Sequence, residues 1–447
     1  MSAVRTAVVI GASMGGLLAA RVLSDEYDRV LLLDRDHADV DGYRSGVPQA
    51  KHLHGLLARG REILEELFPG LSQDLIDDGA TVADLQNDIR WTIDGRRLVR
   101  HHCGLSGLSM SRLLLERRVR ARVLALPGVT LLPCHEVTGL TTGADAGRVT
   151  GVHAVRLADG NARVDLAAEL VVDASGRGSR APTWLTDLGY DAPVEDRVPI
   201  GITYATQHFR REPGHLVGSK GAVVTMSLEN PRGGALAREE GDRWVVTLAG
   251  LADDPAPLDP EGFRAFAASL PDPAIAEVIA AATPIDDALR ARFPASVRRR
   301  YERLTRLPEG FLVLGDAVCS FNPVYSQGMT VAGEEALILR ACLRQGTTGI
   351  GRRFFKATAR ILTVPWSMAT SGDERFTDPA KSRTLAGRLT GFYLNAVGAA
   401  VGRDPAVGRA LLRVANLLDP PQRMVAPDMV WRVLRSARHR PAVTEVG

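Results

Sequence analysis

Lysine is nearly missing from this chain. Of its 55 basic residues only Lys51, Lys220, Lys356 and Lys381 are lysines, and the rest are arginines. With the abundant Ala and Gly, that bias reflects the coding habits of a GC-rich genome rather than a polycation, because the formal net charge is only +3. No basic block is interleaved with aromatics, which argues against a nucleic-acid partner. Cysteine is also scarce. Cys103, Cys134, Cys319 and Cys342 are scattered without C-x-x-C spacing, so they read as small buried hydrophobes in a reducing compartment rather than as a disulfide or zinc framework. His52 and His54 lack a third ligand, and no metal is expected. No apolar run is long enough to span a bilayer, so no transmembrane segment is expected. The chain opens directly on a strand pattern with no basic n-region and cleavage site, which makes a cytoplasmic location the expectation. No G-x-S-x-G elbow supports a hydrolase, and no internal repeat is visible.

What is present is ordinary globular composition in unusual order. The 447 residues, 45% hydrophobic and 24% charged, allow two or three domains. Residues Met1 to Arg35 carry the strongest signal. They read as a strand (Ala7 to Ile10), a glycine turn (Gly11 to Gly16), a helix (Leu17 to Leu23) and a second strand (Val30 to Leu33) ending in Asp34. That is the opening of a dinucleotide-binding βαβ unit. Gly11 permits the sharp turn, Gly16 lets the helix approach the sheet, and the helix N-terminus offers N–H groups to a pyrophosphate. Asp34 is placed to grip ribose hydroxyls. Ser13 replaces the middle glycine of the fingerprint.

The rest of the pattern predicts a helix over Gly55 to Leu67, a hairpin around Asp94-Gly95 and a helix over Ser111 to Leu126. Short strands follow at Val129 to Leu132, Val149 to Leu157, Arg163 to Leu166 and Leu170 to Asp173. Period-two strands at Gly201 to Phe209, Ala222 to Leu228 and Trp244 to Leu251 suggest an antiparallel sheet. Phe311 to Leu314 returns to a buried parallel-type strand. Helices from Arg352 onward are broken at Pro365, Pro379, Pro405, Pro420-Pro421 and Pro427. The expected fold class is α/β: a Rossmann-like parallel sheet, an inserted antiparallel sheet and a helical C-terminal domain. The expected boundaries are 1–80, 103–185 and 305–345 for cofactor binding, 81–102 and 186–304 for substrate, and 346–447 for the helical domain. The Arg298-Arg-Arg-Tyr-Glu-Arg303 run reads as a solvated surface.

Three glycine–acid stretches occur in order: Gly11 to Asp34, Asp173-Ala-Ser-Gly-Arg-Gly-Ser179-Arg180, and Gly315-Asp-Ala-Val-Cys-Ser-Phe-Asn-Pro323-Val-Tyr-Ser-Gln-Gly328-Met329. Together they resemble the FAD-dependent monooxygenases of the para-hydroxybenzoate hydroxylase superfamily. Arg44-Ser-Gly-Val-Pro-Gln49, His52, His54 and Gly201-Ile-Thr-Tyr-Ala-Thr206 extend the resemblance to actinobacterial oxygenases, including polyether epoxidases. Two positions depart from the pattern: Ser175-Gly176 replaces a common Asp-Gly pair, and Lys51 stands where the epoxidases tend to carry Arg. The resemblance implies cofactor contacts from Gly11, Ser13, Met14, Gly15, Gly16, Asp34, Arg35, Arg44, Gln49, Arg112, Val137, Asp173 and Gly176. It adds Gly315 and Asp316 at the ribityl chain and Gly328 and Met329 at the isoalloxazine. Gly315-Asp316 has a rival reading, a cap on the next helix.

The resemblance further implies reduced FAD taking up O₂ as a C4a-hydroperoxide and passing one oxygen atom to a small hydrophobic natural-product-type substrate. No side-chain nucleophile is needed; Arg44 and Pro323 are the weak catalytic candidates. Trp91, Tyr204, Met226, Thr247, Phe321 and Pro323 are the candidate pocket wall. Electrons would come from NAD(P)H or a separate reductase partner. A flavin-dependent reductase or dehydrogenase of a prenyl or polyketide substrate, and a non-catalytic flavin-binding protein, stay open as alternatives.

Overall fold

The computed structural model describes residues 4–37, 52–144, 146–251, 253–377 and 385–438. They form two compact units. The first comprises Met1–Asp78, Ser111–Pro199 and Ala295–Thr370; the second comprises Gly79–Met110, Ile200–Pro294 and Ser371–Gly447.

The first unit is built on a five-stranded parallel sheet. Its order is Phe311–Val313, Leu170–Asp173, Thr6–Ile10, Arg29–Leu33, Val129–Leu132. These strands are nearly continuous apolar runs because both faces of a parallel sheet are covered. The register places Leu33, Ile10, Asp173 and Val313 side by side at the carboxyl edge. The four segments that follow them therefore leave the sheet together. The helix Met14–Leu23 lies against this sheet, and two glycines make that possible. Gly11 has φ +95°, and a Cβ there would meet the Ala174 carbonyl oxygen at 2.8 Å. A Cβ on Gly16 would come within 1.8 Å of the Gly11 carbonyl oxygen. An antiparallel three-stranded sheet, Ala162–Ala167, Val149–Arg156 and His135–Thr142, also belongs to this unit; its last-named strand was not expected from the sequence.

An eight-stranded sheet carries most strands of the second unit, with Glu195–Arg210, Arg243–Leu251, Gly233–Glu239, Gly221–Val224, Ile89–Ile93 and Arg96–Arg97 in adjacent order, while Thr81–Asp84 and Ser106–Ser109 pair separately. The sheet is mixed rather than purely antiparallel, since Gly221–Val224 runs parallel to Ile89–Ile93. The expected hairpin is present, with Asp94 at φ +46° and Gly95 at φ +71° as a two-residue primed turn requires. One face of the sheet buries Ala205, Trp244, Val246 and Leu248 against Phe263, Phe266, Ile275 and Val278 of the helices Pro260–Ala268 and Ala274–Ala281. Among the strands that escaped the sequence reading, Gly233–Glu239 opens with two glycines, and Leu289–Arg299 mixes arginines with Pro294, so neither shows a strand's usual composition.

Two expectations are corrected. Pro365 lies inside the helix Ile350–Thr377, whose buried Phe354, Leu362 and Ala369 hold it together across the one missing N–H. The Arg298–Arg303 run is largely buried, not solvated. Arg298 donates to the Ala359 carbonyl at 3.1 Å, and the Tyr301 ring stacks on Phe355 at 5.0 Å. Pro405, Pro421 and Pro427 do begin new helical segments, while Pro379 lies outside the described residues.

A buried polar group crosses three strands of the second unit. His208 Nδ1 is 2.6 Å from Asp286 Oδ2 and its Nε2 is 3.6 Å from Glu239 Oε2, with Arg243 beyond, next to Glu240. Burial pushes the Glu239 carboxyl up to about 7. The His208 imidazole is raised too: burial opposes protonation, but the bond to Asp286 and the nearby Glu239 outweigh it. Both groups hold their protons more tightly folded than unfolded. Their contribution is complete at acid pH and is lost as pH rises through the folded values. The melting temperature should fall between about pH 5 and pH 8. Glu239→Gln, which keeps the shape of the protonated acid, should flatten that fall; an unchanged slope in a calorimetric pH series would refute this assignment.

Candidate cofactor site

The site grows from the carboxyl edge of the parallel sheet. Gly11 N–H donates to the Leu33 carbonyl at 2.7 Å, Ala174 N–H to Ile10 at 2.9 Å and Leu314 N–H to Asp173 at 2.9 Å. Those bonds tie the three glycine–acid segments to one another. Asp34 then accepts the Ala12 N–H at 2.8 Å and the Asp36 N–H at 2.9 Å, so its carboxylate is aimed back at the glycine turn. Arg35 beside it is exposed.

At the start of the helix Met14–Leu23, Ser13 holds the N-cap position but makes no side-chain cap, and no acid lies in the first turn. The N–H groups of Met14, Gly15 and Gly16 have no intrahelical acceptor and face the positive end of the dipole. The Ser13 hydroxyl instead donates to Glu116 Oε2 at 3.2 Å and accepts from Arg112 at 3.2 Å. Glu116 is also held by Arg112 at 3.2 Å and Arg120 at 3.0 Å, and Arg120 reaches the Ala12 carbonyl at 2.7 Å. Arg112 is only 7% exposed. It is thus a buried part of the turn and not a solvated helix arginine. Glu116 was missed in the sequence reading; its i, i+4 spacing to both Arg112 and Arg120 was the available signal.

Asp316 lies in a single 3-10 turn, Gly315–Ala317, and the next helix, Gly328–Leu343, has Gln327 at its N-cap. The capping reading of Asp316 is therefore set aside. The turn is held from below. Gly315, at φ +72°, donates its N–H to Glu335 Oε2 at 2.5 Å. Glu335 is fully buried, and burial raises its carboxyl to about 8, with Asp316 adding repulsion. Burial also raises Asp316. Asp316 Oδ1 lies 3.6 Å from where a Cβ on Gly328 would be, so acid and helix start adjoin. The Gly328–Leu343 helix has no side-chain cap and no acid in its first turn, and the buried Gln327 Oε1 has no partner. A free helix start beside a buried, unpartnered amide oxygen is a set of donors and an acceptor that fits a polar ligand. Met329 follows Gly328 in the helix's first turn.

The remaining candidates separate. Asp173 is fully buried and uses both carboxylate oxygens inside its own loop, accepting from Ser175 N–H at 2.9 Å and the Ser179 hydroxyl at 2.6 Å. Gly176 has φ +81° with open space where a Cβ would go. His54 Nδ1 is 2.7 Å from the His52 carbonyl oxygen, and burial with Arg112 nearby lowers its pKa to about 4, so it is neutral. A Cβ on Gly55 would approach the Ser326 hydroxyl at 3.1 Å, which places that segment beside the Gly328 helix start. Val137 is buried opposite Ala154 in the three-stranded sheet. Arg44 and Gln49 lie outside the described residues, as does Lys51.

Among the pocket candidates, Trp91, Val223, Ala235, Thr247 and Thr206 form one row across the second unit's sheet. Thr206 and Thr247 hydroxyls are 2.6 Å apart. Tyr204, opposite Ala249, lies in the next row and shares an apolar cluster with Ile202, Phe293 and Met226. In the first unit, Phe321 is buried with its ring 6.5 Å from Trp366, and Pro323 is exposed at the start of a 3-10 turn.

Glu335 offers a direct check of how the Asp316 turn is held. Glu335→Gln preserves a neutral, hydrogen-bonding side chain and should leave thermal stability nearly unchanged at neutral pH. Glu335→Ala strands the Gly315 N–H and should cost about 1–3 kcal/mol. Equal losses in both variants by chemical denaturation would contradict the protonated-acid account.

No family model matches the sequence. Three solved structures share the fold at low identity. The p-nitrophenol 4-monooxygenase PnpA of Pseudomonas putida aligns with TM-score 0.66, 16% identity, and coverage of 94% of this chain and 99% of that one. The flavin-dependent brominase Bmp2 aligns with TM-score 0.65, 14% identity and 92% coverage of each. PqsL of P. aeruginosa, solved with 2-aminobenzoylacetate, aligns with TM-score 0.63, 18% identity, and coverage of 83% and 98%. In sequence the chain is 38% identical over 427 residues to Protein Rv3254 of Mycobacterium tuberculosis, covering 92% of this chain and 90% of that protein. The chain therefore has the α/β fold of the flavin-dependent monooxygenases and halogenases, and it belongs to the family of Protein Rv3254.

Proposed function

We propose that this protein is an FAD-dependent monooxygenase, a hydroxylase or epoxidase acting on a small hydrophobic organic substrate. The observation that carries the reading is the convergence of two uncapped helix starts, at Met14 and Gly328, with Asp34 and Asp316 on one unit. The donor set suits FAD from end to end. Asp34 would take the adenosine ribose. The Met14–Gly16 N–H groups and Arg112 would take the diphosphate, with Glu116 fixing Arg112 in place. Asp316 would accept from the ribityl hydroxyls, and the first-turn N–H groups at Gly328 and Met329 would face the pyrimidine edge.

When bound and reduced, FAD supplies the activation of O₂ for transfer of one oxygen atom. The chain's own task is to bind, orient and keep water out. The Tyr204–Met226–Phe293 cluster would provide an apolar wall for the substrate, and the Thr206–Thr247 pair hydroxyls in the neighbouring row of the sheet. On this reading the first unit binds cofactor and the second selects substrate. NAD(P)H or a reductase partner supplies the electrons. The names of the solved relatives support the same chemistry: a p-nitrophenol 4-monooxygenase and a protein holding 2-aminobenzoylacetate.

The purified protein should carry noncovalent FAD, released on denaturation, and should consume O₂ with NADH, NADPH or an added reductase. Asp34→Ala should lower FAD affinity about tenfold to a hundredfold, the loss of one charge-assisted hydrogen bond. Saturating FAD should restore most turnover; abolished turnover with FAD fully bound would place Asp34 in another role. Reduction of an alkene without O₂ uptake would select the reductase alternative.

Gly328 is the second test. Its Cβ direction faces Asp316 at ordinary contact distance, so Gly328→Ala should fold and bind FAD. Gly328→Val should push on Asp316 and weaken FAD binding at nearly unchanged melting temperature. Wild-type FAD affinity in the Val variant, measured by fluorescence quenching, would remove Gly328 from the flavin site.

A further inference from the structure

Away from the cofactor edge, the first unit holds a cleft of about 590 Å³ that the proposed oxygenase does not use. It lies at the amino end of the parallel sheet. Glu309 and Gly310 lead into the strand Phe311–Val313, whereas Gly315 and Asp316 leave its other end. Six residues separate Glu309 from Gly315, roughly 20 Å of extended chain. Backbone bonds fix this rim: the Glu309 N–H donates to the Gly147 carbonyl at 2.9 Å, and the Val149 N–H to the Glu309 carbonyl at 2.8 Å. Tyr190, Leu307 and Pro308 give the lining an apolar part. The Tyr190 hydroxyl donates to the Ala146 carbonyl at 3.0 Å, which holds the ring in place.

The charges in the lining are one-sided. Arg306, Arg352, Arg353 and Lys356 stand against a single carboxylate, Glu309, a formal +3 and as much as the whole chain carries. Glu309 is itself engaged, because both its oxygens accept the Gly349 N–H, at 3.1 and 3.2 Å. The arginines bond neutral carbonyls. Arg306 donates to Gly189 at 3.1 Å and Arg352 to Thr305 at 3.1 Å, while Arg353 reaches Gly346 and Thr348. Among the described residues none of the four cations has a carboxylate partner. Their placement is unfavourable in two further ways. Arg352 and Arg353 occupy the first turn of the helix Ile350–Thr377, at the positive end of its dipole, and that turn contains no acid. Arg352 and Lys356 form a like-charge i, i+4 pair on the same helix. Elsewhere the molecule answers its arginines with acids, as at Arg112, Arg232 and Arg413. An anion in the cleft would relieve both costs.

We infer that this cleft binds the diphosphate group of a small molecule, at a site separate from the cofactor's. A terminal phosphate carries about −1.5 to −2 at pH 7, and the inner phosphate adds about one more charge, which matches the lining. Arginine forks suit paired phosphate oxygens. The volume falls within the range of small-molecule sites, on the order of 300–1,000 Å³, and a concave site favours a small molecule over a membrane or an acidic protein face. Leu307, Pro308 and the Tyr190 ring offer apolar contact to whatever carries the diphosphate. The inference does not rest on the oxygenase reading.

The test is calorimetric titration of the full-length, FAD-saturated protein with inorganic pyrophosphate, ADP and adenosine, so that the dinucleotide site is already filled. Pyrophosphate and ADP should bind and adenosine should not, with affinity falling as salt is added. Tighter binding of ADP would mark an organic diphosphate as the occupant, and equal binding an inorganic one. Arg352→Gln with Lys356→Gln should weaken both diphosphates about tenfold or more. Both side chains are exposed, so the variant's melting temperature and bound-flavin absorbance should stay at wild-type values. The rise in melting temperature that pyrophosphate gives the wild type should shrink in the variant. No binding of either diphosphate at low salt overturns the inference. So does undiminished binding in the double variant, which would place the probe elsewhere, or adenosine binding as tightly as ADP. If the protein takes up no FAD, the oxygenase reading fails, but the same comparison of wild type and variant still decides the cleft.

Discussion

The site depends on one row of backbone hydrogen bonds. At the carboxyl edge of the parallel sheet, Leu33, Ile10, Asp173 and Val313 stand in register, and the residues just after them bond back across it. Segments more than a hundred residues apart in the chain are thereby brought to a common edge. Without that register Asp34, the Met14 helix start and the Asp316 turn would be three unrelated loops. Parallel strands are what allow it, since every strand ends at the same side and the crossovers return the chain to the other.

Above that row the protein spends ionisable groups on geometry. Glu116 is gripped by two arginines and in turn fixes Arg112 and Ser13 at the first helix start. Glu335 plays a comparable part under Gly315, where a carboxyl pushed toward neutrality by burial accepts one N–H. Both acids lie beneath turns whose outer N–H groups are left free. A charge in the outer position would compete with an anionic ligand, and each glutamate avoids that by facing inward. The second unit uses the same device for a different end, with His208 and Glu239 buried across strands.

Much of this was legible in the sequence because the relevant interactions are local. Gly11, Gly16 and Asp34 belong to one continuous βαβ unit, where the spacing of turn, helix and acid follows from chain geometry. The Asp94-Gly95 hairpin was legible for the same reason, since only particular residues accept its positive φ angles. Breaks at Pro405 and Pro427 followed from proline's missing N–H, whereas Pro365 was overridden by the burial of its helix. The Arg298 run failed likewise: its composition says surface, but Ala359 and Asp196 supply partners that no local pattern announces.

The sequence by itself determined the first strand, its glycine turn and the acid that closes it, because each is set by contacts within a few residues. Only the tertiary structure decided which residues surround those elements. The pairing of Ser13 with Glu116, the support of Gly315 by Glu335, the row from Trp91 to Thr206 and the meeting of Arg306 with Arg352 at one cleft all depend on packing between distant segments. Such contacts arise from burial and register across the whole chain, and a one-dimensional pattern carries no record of them until the strands have paired.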